Sequence, residues 1–184
     1  MDAALGWLGD LVRYIAQLVP RLQLVRATDR CIKFTGPRTK EVGPGLHLWW
    51  PLVTELEIHP IVRQVKSLPE QKLQTRDGVT VMVDAVLIFE IADLHTFIVA
   101  NYDADDSLEE VAQEAVLTVV MEMTMEQLRD PEMRKKVNAR LTTEARKALK
   151  LFGVTTERLR LQSLAPGAVL IHAGDSLVSV GIEA

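Results

Sequence analysis

Side chains able to do acid–base, nucleophilic or metal chemistry are few in this 184-residue chain, and their spacing does not suit that work. The four histidines are His47, His59, His95 and His172. No two stand at i and i+4 and no HExxH occurs, so the arrangement that aims two imidazoles from one helix face at a metal is missing. The single cysteine, Cys31, sits in the apolar run Cys31-Ile32-Lys33-Phe34 and reads as a buried hydrophobe rather than a nucleophile. One cysteine also excludes an intramolecular disulfide framework and a Cys-based zinc site. Asp103, Asp105, Asp106, Glu109 and Glu110 cluster, but nothing sets two of them in opposed environments, as a general acid and base require. They suit the positive end of a helix instead. There is no G-x-S-x-G, Walker loop or G-x-G-x-x-G, and Gly43-Pro44-Gly45 lacks a following Lys or helix start. The expectation is a protein without a catalytic set, a metal or a cofactor.

Composition narrows the classes further. Apolar residues make up 48% and charged residues 25%, enough for a packed core. A net charge of -4 argues against a dedicated nucleic-acid binder.

The most distinctive segment is the first. Gly6, Asp10, Arg13, Gln17 and Arg21 recur at three- and four-residue steps and predict a narrow polar stripe on a helix. Leu8, Leu11, Val12, Ile15, Leu18, Val19 and Leu22 cover most of the remaining circumference, with Trp7 and Tyr14 at its margins. Charges at Asp10, Arg13 and Arg21 make it too interrupted to span a bilayer, and Asp2 stands where a signal peptide needs basic residues. A wide apolar arc with aromatics fits a helix lying in a membrane interface. The competing reading is a helix packed on its own domain or on another subunit.

From Leu22 the pattern turns to strand: Leu22 and Leu24, then Cys31 to Phe34, with turns at Thr28-Asp29, Gly36-Pro37 and Gly43-Pro44-Gly45. Leu46 to Trp50 is apolar and ends at Pro51; Val53 to Lys66 contains Pro60, which confines part of it to a sheet edge. After the Asp77-Gly78 turn, Val79, Val81, Val83, Ala85, Leu87, Phe89 and Ile91 share one strand face. The other face is half apolar, which predicts a central strand, and leaves Asp84 in need of a donor. Helices follow, capped by Asp93, by the boxes Ser107–Glu110 and Thr124–Gln127, and by Asp130 before Pro131. The last should stop at Gly153, before a closing strand that ends at Pro166-Gly167. The order gives an α+β fold: a β-rich half, then helices, then a returning strand.

These residues resemble a known family. Gly43-Pro44-Gly45-Leu46-His47 followed by Pro51 is similar to its GPGLH-x-x-x-P signature, and Asp77 to Ala85, continuing through Phe89 to Asp93, is similar to its DGV-x-V-x-VDA strand. Leu128, Arg134 and Leu141, then Phe152-Gly153-Val154 and Thr155 to Leu161, resemble its closing block. The family is SPFH (stomatin, prohibitin, flotillin, HflK/C), or band 7, and the resemblance runs from Val25 to Leu164. It implies a non-enzymatic, membrane-associated scaffold that oligomerises into rings or cages, organises lipids, and regulates membrane proteases or channels. It also implies an apolar loop after GPGLH that dips into the bilayer, where this chain has Trp49 and Trp50. Paired exposed Trp beside a Pro suits an interface; the alternative is one Trp in the core and one at the surface.

The predicted organisation is an interface helix over 1–24, an SPFH domain over 25–165 and a tail over 166–184. That tail cannot supply the heptads of the family's coiled coil, so a smaller ring, or a module capping a membrane protein, is expected rather than a large cage. For lateral assembly the candidates are the acidic cluster Asp103, Asp105, Asp106, Glu109 and Glu110 and a basic helix carrying Arg134, Lys135, Lys136, Arg140, Arg146, Lys147 and Lys150. They are either solvated faces or complementary halves of a head-to-tail contact. The expected partners are membrane lipid, further copies of the chain, and a membrane protease or channel. Attachment is expected to one leaflet, on a side left open.

Overall fold

The structure, a computed structural model, describes residues 19–167, 169–173 and 176–180. The predicted interface helix falls mainly outside these residues, and Trp7, Leu8, Leu11, Val12, Tyr14, Ile15 and Leu18 with it. The described chain begins its first strand at Arg21, so Arg21 to Leu24, assigned above to the helical segment, are extended. Two compact units divide at Val62–Arg63, within the stretch 25–165 read as one domain.

The first unit holds five antiparallel strands. β1 (Arg21–Val25) pairs with β4 (Gly45–Trp49) as a two-stranded ribbon. β2 (Asp29–Thr35) lies between β3 (Arg38–Val42) and β5 (Thr54–Pro60) in a three-stranded sheet. The β2–β3 connection is the two-residue turn Gly36-Pro37, and Gly36 takes φ +57°, which a hairpin of this type demands of its first central residue. Pro60 closes β5, an edge strand, as its missing N–H requires. Val25, Cys31 and Ile32 form the buried centre of this unit.

In the second unit β7 (Thr80–Ile91) is central, between β6 (Gln64–Gln74) and β8 (Val154–Pro166). Its face of Val81, Val83, Ala85, Leu87, Phe89 and Ile91 is buried throughout, and Val86 is buried on the other face. Asp84 finds its donor where the β7–β8 register shifts: the Ser163 backbone N–H donates to Asp84 Oδ1. The helices are α1 (Leu94–Val99), α2 (Ala104–Met121), α3 (Met125–Arg129) and α4 (Pro131–Leu149). Asp93, Thr124 with Gln127, and Asp130 cap α1, α3 and α4 as expected. The Ser107 box is not used. Asp103 caps α2 one turn earlier, accepting from the Asp106 N–H at 3.3 Å, so Ser107 becomes an interior residue. Asp105 and Asp106 then occupy the first turn, where the helix dipole favours them. After α4 a short 3₁₀ turn, Lys150–Phe152, ends at Gly153 in the left-handed conformation, φ +74°. β9 (Val169–Ala173) and β10 (Ser176–Val180) pair as a terminal hairpin within the stretch read as a tail. The architecture is α+β, with antiparallel sheets first, then helices, then a returning strand.

Helix α4 closes the open edge of β8. The Leu159 N–H donates to Thr142 Oγ1 at 3.1 Å, the Leu161 N–H donates to Asn138 Oδ1 at 3.1 Å, and Arg146 Nε donates to the Thr156 carbonyl at 3.2 Å. Asn138, Thr142 and Arg146 recur at every fourth residue, one stripe of the helix. A row of side chains thus does for β8 what a neighbouring strand would do.

Candidate membrane-docking surface

The β1–β4 ribbon carries the most conspicuous surface of the first unit. Its register sets Leu22 opposite Leu48 and Leu24 opposite Leu46. Residues directly opposite in an antiparallel pair point to the same face, as do residues two apart, so the four leucines form one grid. Their exposures are 64%, 65%, 63% and 59% for Leu22, Leu24, Leu46 and Leu48. Just beyond β4, Trp50, Leu52 and Val53 are also exposed, and Val19 precedes β1 in the same state. The opposite face carries Gln23 and His47 with buried Val25. Soluble proteins seldom leave so continuous a patch of large apolar side chains in water without using it.

The two tryptophans part company. Trp50 is 48% exposed. Trp49 is half-buried on the ribbon face opposite the leucines, and among the described residues its buried indole N–H has no acceptor. The exposed surface therefore takes Trp50, and Trp49 lies behind it. Leu22 belongs to the surface as a strand residue rather than a helical one.

Leu24, Leu46, Leu48, Leu52 and Val53 were not among the residues expected at the surface. The signal was a leucine at alternate positions in each strand, broken by Gln23 and His47. Alternation gives a shared face but not whether that face meets a core or the outside.

About half of the charged candidates are engaged inside the chain. Asp103 caps α2. Glu109 pairs with Lys66 at 3.1 Å, Arg140 pairs with Glu122, and Lys147 pairs with Glu144 at 2.9 Å. Lys135 reaches Glu132 at 3.8 Å, and Arg146 holds the edge of β8. Among the described residues, Asp105, Asp106, Glu110, Arg134, Lys136 and Lys150 make no salt bridge. The partners Lys66 and Glu122 lie on other elements, whereas Glu132 and Glu144 lie on α4 itself.

Cys31 is 1% exposed, and burial pushes its thiol above the ordinary range, which keeps it protonated and unreactive at neutral pH. The His47 Nε2–H donates to the Gly43 carbonyl at 2.8 Å, closing the Gly43-Pro44-Gly45 turn. Among the described residues no three His, Cys, Asp or Glu side chains converge for a metal, and no helix is long and apolar enough to cross a membrane.

This order of strands, capped helices and returning strand, with a GPGLH turn leading the apolar ribbon, defines a class. Residues 24–179 match the SPFH domain / Band 7 family, and the chain belongs to it. It is 30% identical to Stomatin-1 of Caenorhabditis elegans over 78% of this chain and 43% of that protein. It is 22% identical to Stomatin-4 of the same organism over 86% of this chain and 59% of that one. An uncharacterised protein of Archaeoglobus fulgidus is 23% identical over 73% of this chain and 54% of its own length. The chain thus spans about half the length of the curated relatives it matches.

Proposed function

We propose that the chain is a non-enzymatic, membrane-associated scaffold module that rests its leucine ribbon on one leaflet of a bilayer and assembles laterally. The observation that carries this reading is the grid of Leu22, Leu24, Leu46 and Leu48, with Trp50, Leu52 and Val53 also exposed just after β4 in the chain. Full burial of a leucine yields roughly 1.5–3 kcal/mol. With each about three-fifths exposed, the four together would gain on the order of 4–7 kcal/mol on entering hydrocarbon. That corresponds to roughly millimolar to ten-micromolar binding for a single copy. Such affinity is weak alone and becomes firm when several copies are joined, which links docking to assembly. The apolar N-terminal segment, the acidic residues Asp105, Asp106 and Glu110, and Lys136 are the further elements this reading assigns to lipid and to neighbouring copies.

A second reading, a regulatory module that engages a membrane protease or channel without large assembly, draws on a different observation. Tyr102, just after α1, is fully exposed, and Val99 and Leu151 are exposed as well.

Vesicle flotation tests the first reading. Replacing the cross-strand pair Leu24→Glu and Leu46→Glu should lower binding to phosphatidylcholine vesicles by at least about tenfold, since two apolar contributions are lost and two charges are placed at the interface. Flotation of that variant equal to the unaltered chain, with circular dichroism unchanged, would refute it.

A further inference from the structure

The sheet β3-β2-β5 sorts its charges by face. Register puts Lys33 directly opposite Lys40, and Arg38 opposite Thr35, so three cations share one face. The carboxylates of the same sheet, Glu41, Glu55 and Glu57, pair in register with Ile32 and Phe34 and so stand on the other face. There Arg30 meets Glu41 at 2.6 Å, and His59 meets Glu57 at 2.9 Å. Like charges directly opposite one another weaken a sheet, so Lys33 and Lys40 are placed against the interest of the fold alone.

The cationic face forms one wall of an open cavity of about 720 Å³. Lys33, Arg38 and Lys40 line it together with His47, Leu48 and Leu56, and no acidic side chain does. Among the described residues neither Arg38 nor Lys40 makes a salt bridge, and Lys33 Nζ donates only to the Leu48 carbonyl, at 3.4 Å. Leu48 is also one corner of the exposed leucine grid. The cavity therefore adjoins the docking surface through a shared residue: cations and an imidazole at one side, aliphatic side chains at the other.

We propose that this cavity receives the phosphate of an anionic phospholipid headgroup, with Lys33, Arg38 and Lys40 as its cationic ligands, from the bilayer on which the ribbon rests. The inference rests on the docking reading and adds a lipid class to it. An anion between Lys33 and Lys40 removes their repulsion, and the apolar wall at Leu48 and Leu56 suits the glycerol end of the headgroup. A basic side chain beside an anionic membrane surface contributes about fivefold in binding, so two contribute about 25-fold.

The test uses the full chain and co-sedimentation with vesicles of phosphatidylcholine alone or mixed with phosphatidylglycerol. The unaltered chain should prefer the mixed vesicles. Arg38→Gln with Lys40→Gln should lose about 25-fold on mixed vesicles and nothing on phosphatidylcholine, which also shows that the variant is folded. Arg30→Gln, a cation removed from the opposite face, should leave the preference intact. Binding to both vesicle types without preference, or equal losses for Arg30→Gln and the double variant, would each overturn the headgroup site while the ribbon's docking stands. Undiminished binding of Leu24→Glu with Leu46→Glu would instead strike the docking reading.

Discussion

Thr142→Val removes one oxygen from α4 and tests whether that helix seals the β8 edge. Valine keeps the shape, so packing is nearly preserved, whereas Thr142 Oγ1 lies 3.1 Å from both the N–H and the carbonyl oxygen of Leu159. Leu159 is fully buried, and no water can replace the lost acceptor at its N–H. Leaving one buried backbone donor unpaired costs about 1–3 kcal/mol, and loss of the hydroxyl proton, which faces the Asn138 carbonyl at 2.8 Å as well as that of Leu159, adds a smaller amount, so about 2–3 kcal/mol is expected. Asn138→Ala should cost a similar amount through the Leu161 N–H. The two act on neighbouring rungs of one strand, so a double-mutant cycle should show coupling above about 0.5 kcal/mol. Denaturant unfolding reads the total, and amide hydrogen exchange at Leu159 and Leu161 reads the site itself. The newly open edge should also raise aggregation through strand addition. A loss under about 0.5 kcal/mol with unchanged exchange at both amides would refute the reasoning.

Three further outcomes follow from other contacts. Gly153→Ala should destabilise the second unit by about 2–4 kcal/mol in thermal or denaturant unfolding, because a Cβ there would stand 2.5 Å from the Asp93 carbonyl oxygen and the φ of +74° disfavours a side chain. The Asp77 carboxyl is held below the usual range by the Thr75 hydroxyl and by the Met125 backbone N–H, and Asp93 by the Thr96 N–H and hydroxyl. Their folded-state values lie below the unfolded ones, so the stability they add is present above about pH 4 and fades as pH falls through the folded values; Asp77→Asn should flatten that acid limb in a pH series of unfolding midpoints. Charge reversal at Lys136, with Asp105 and Asp106 intact, should reduce assembly measured by native mass or light scattering; an unchanged particle size would remove α4 from the lateral contact.

Local chemistry made much of the second unit readable. Asp93, Thr124 and Asp130 cap helices by bonds that span two or three residues, and Gly153 ends one by its own backbone freedom, so each announces itself in a few letters. β7 was equally open, since every second residue from Val81 to Ile91 is apolar and buried. The start of α2 was not, because Asp103 and Ser107 stand one turn apart and both can cap; the helix took the earlier. The exposed leucine surface was half legible. Trp50 stood out by type, but Leu24 and Leu46 meet only through a non-local pairing across the whole of β2 and β3, which no window of sequence displays. The stripe of Asn138, Thr142 and Arg146 was hidden for a related reason: polar residues on a charged helix look solvated until a strand edge is laid against them.

The central claim, that the leucine ribbon enters lipid, is met most directly by a spin label at one of its positions. In a Cys31→Ser background, Leu46→Cys carrying a nitroxide should, on addition of vesicles that the protein demonstrably binds, gain collisions with oxygen and lose them with a water-soluble nickel chelate. A label that stays fully accessible to the chelate while the protein remains on the vesicle would show that the ribbon faces water and that the chain is held by another surface.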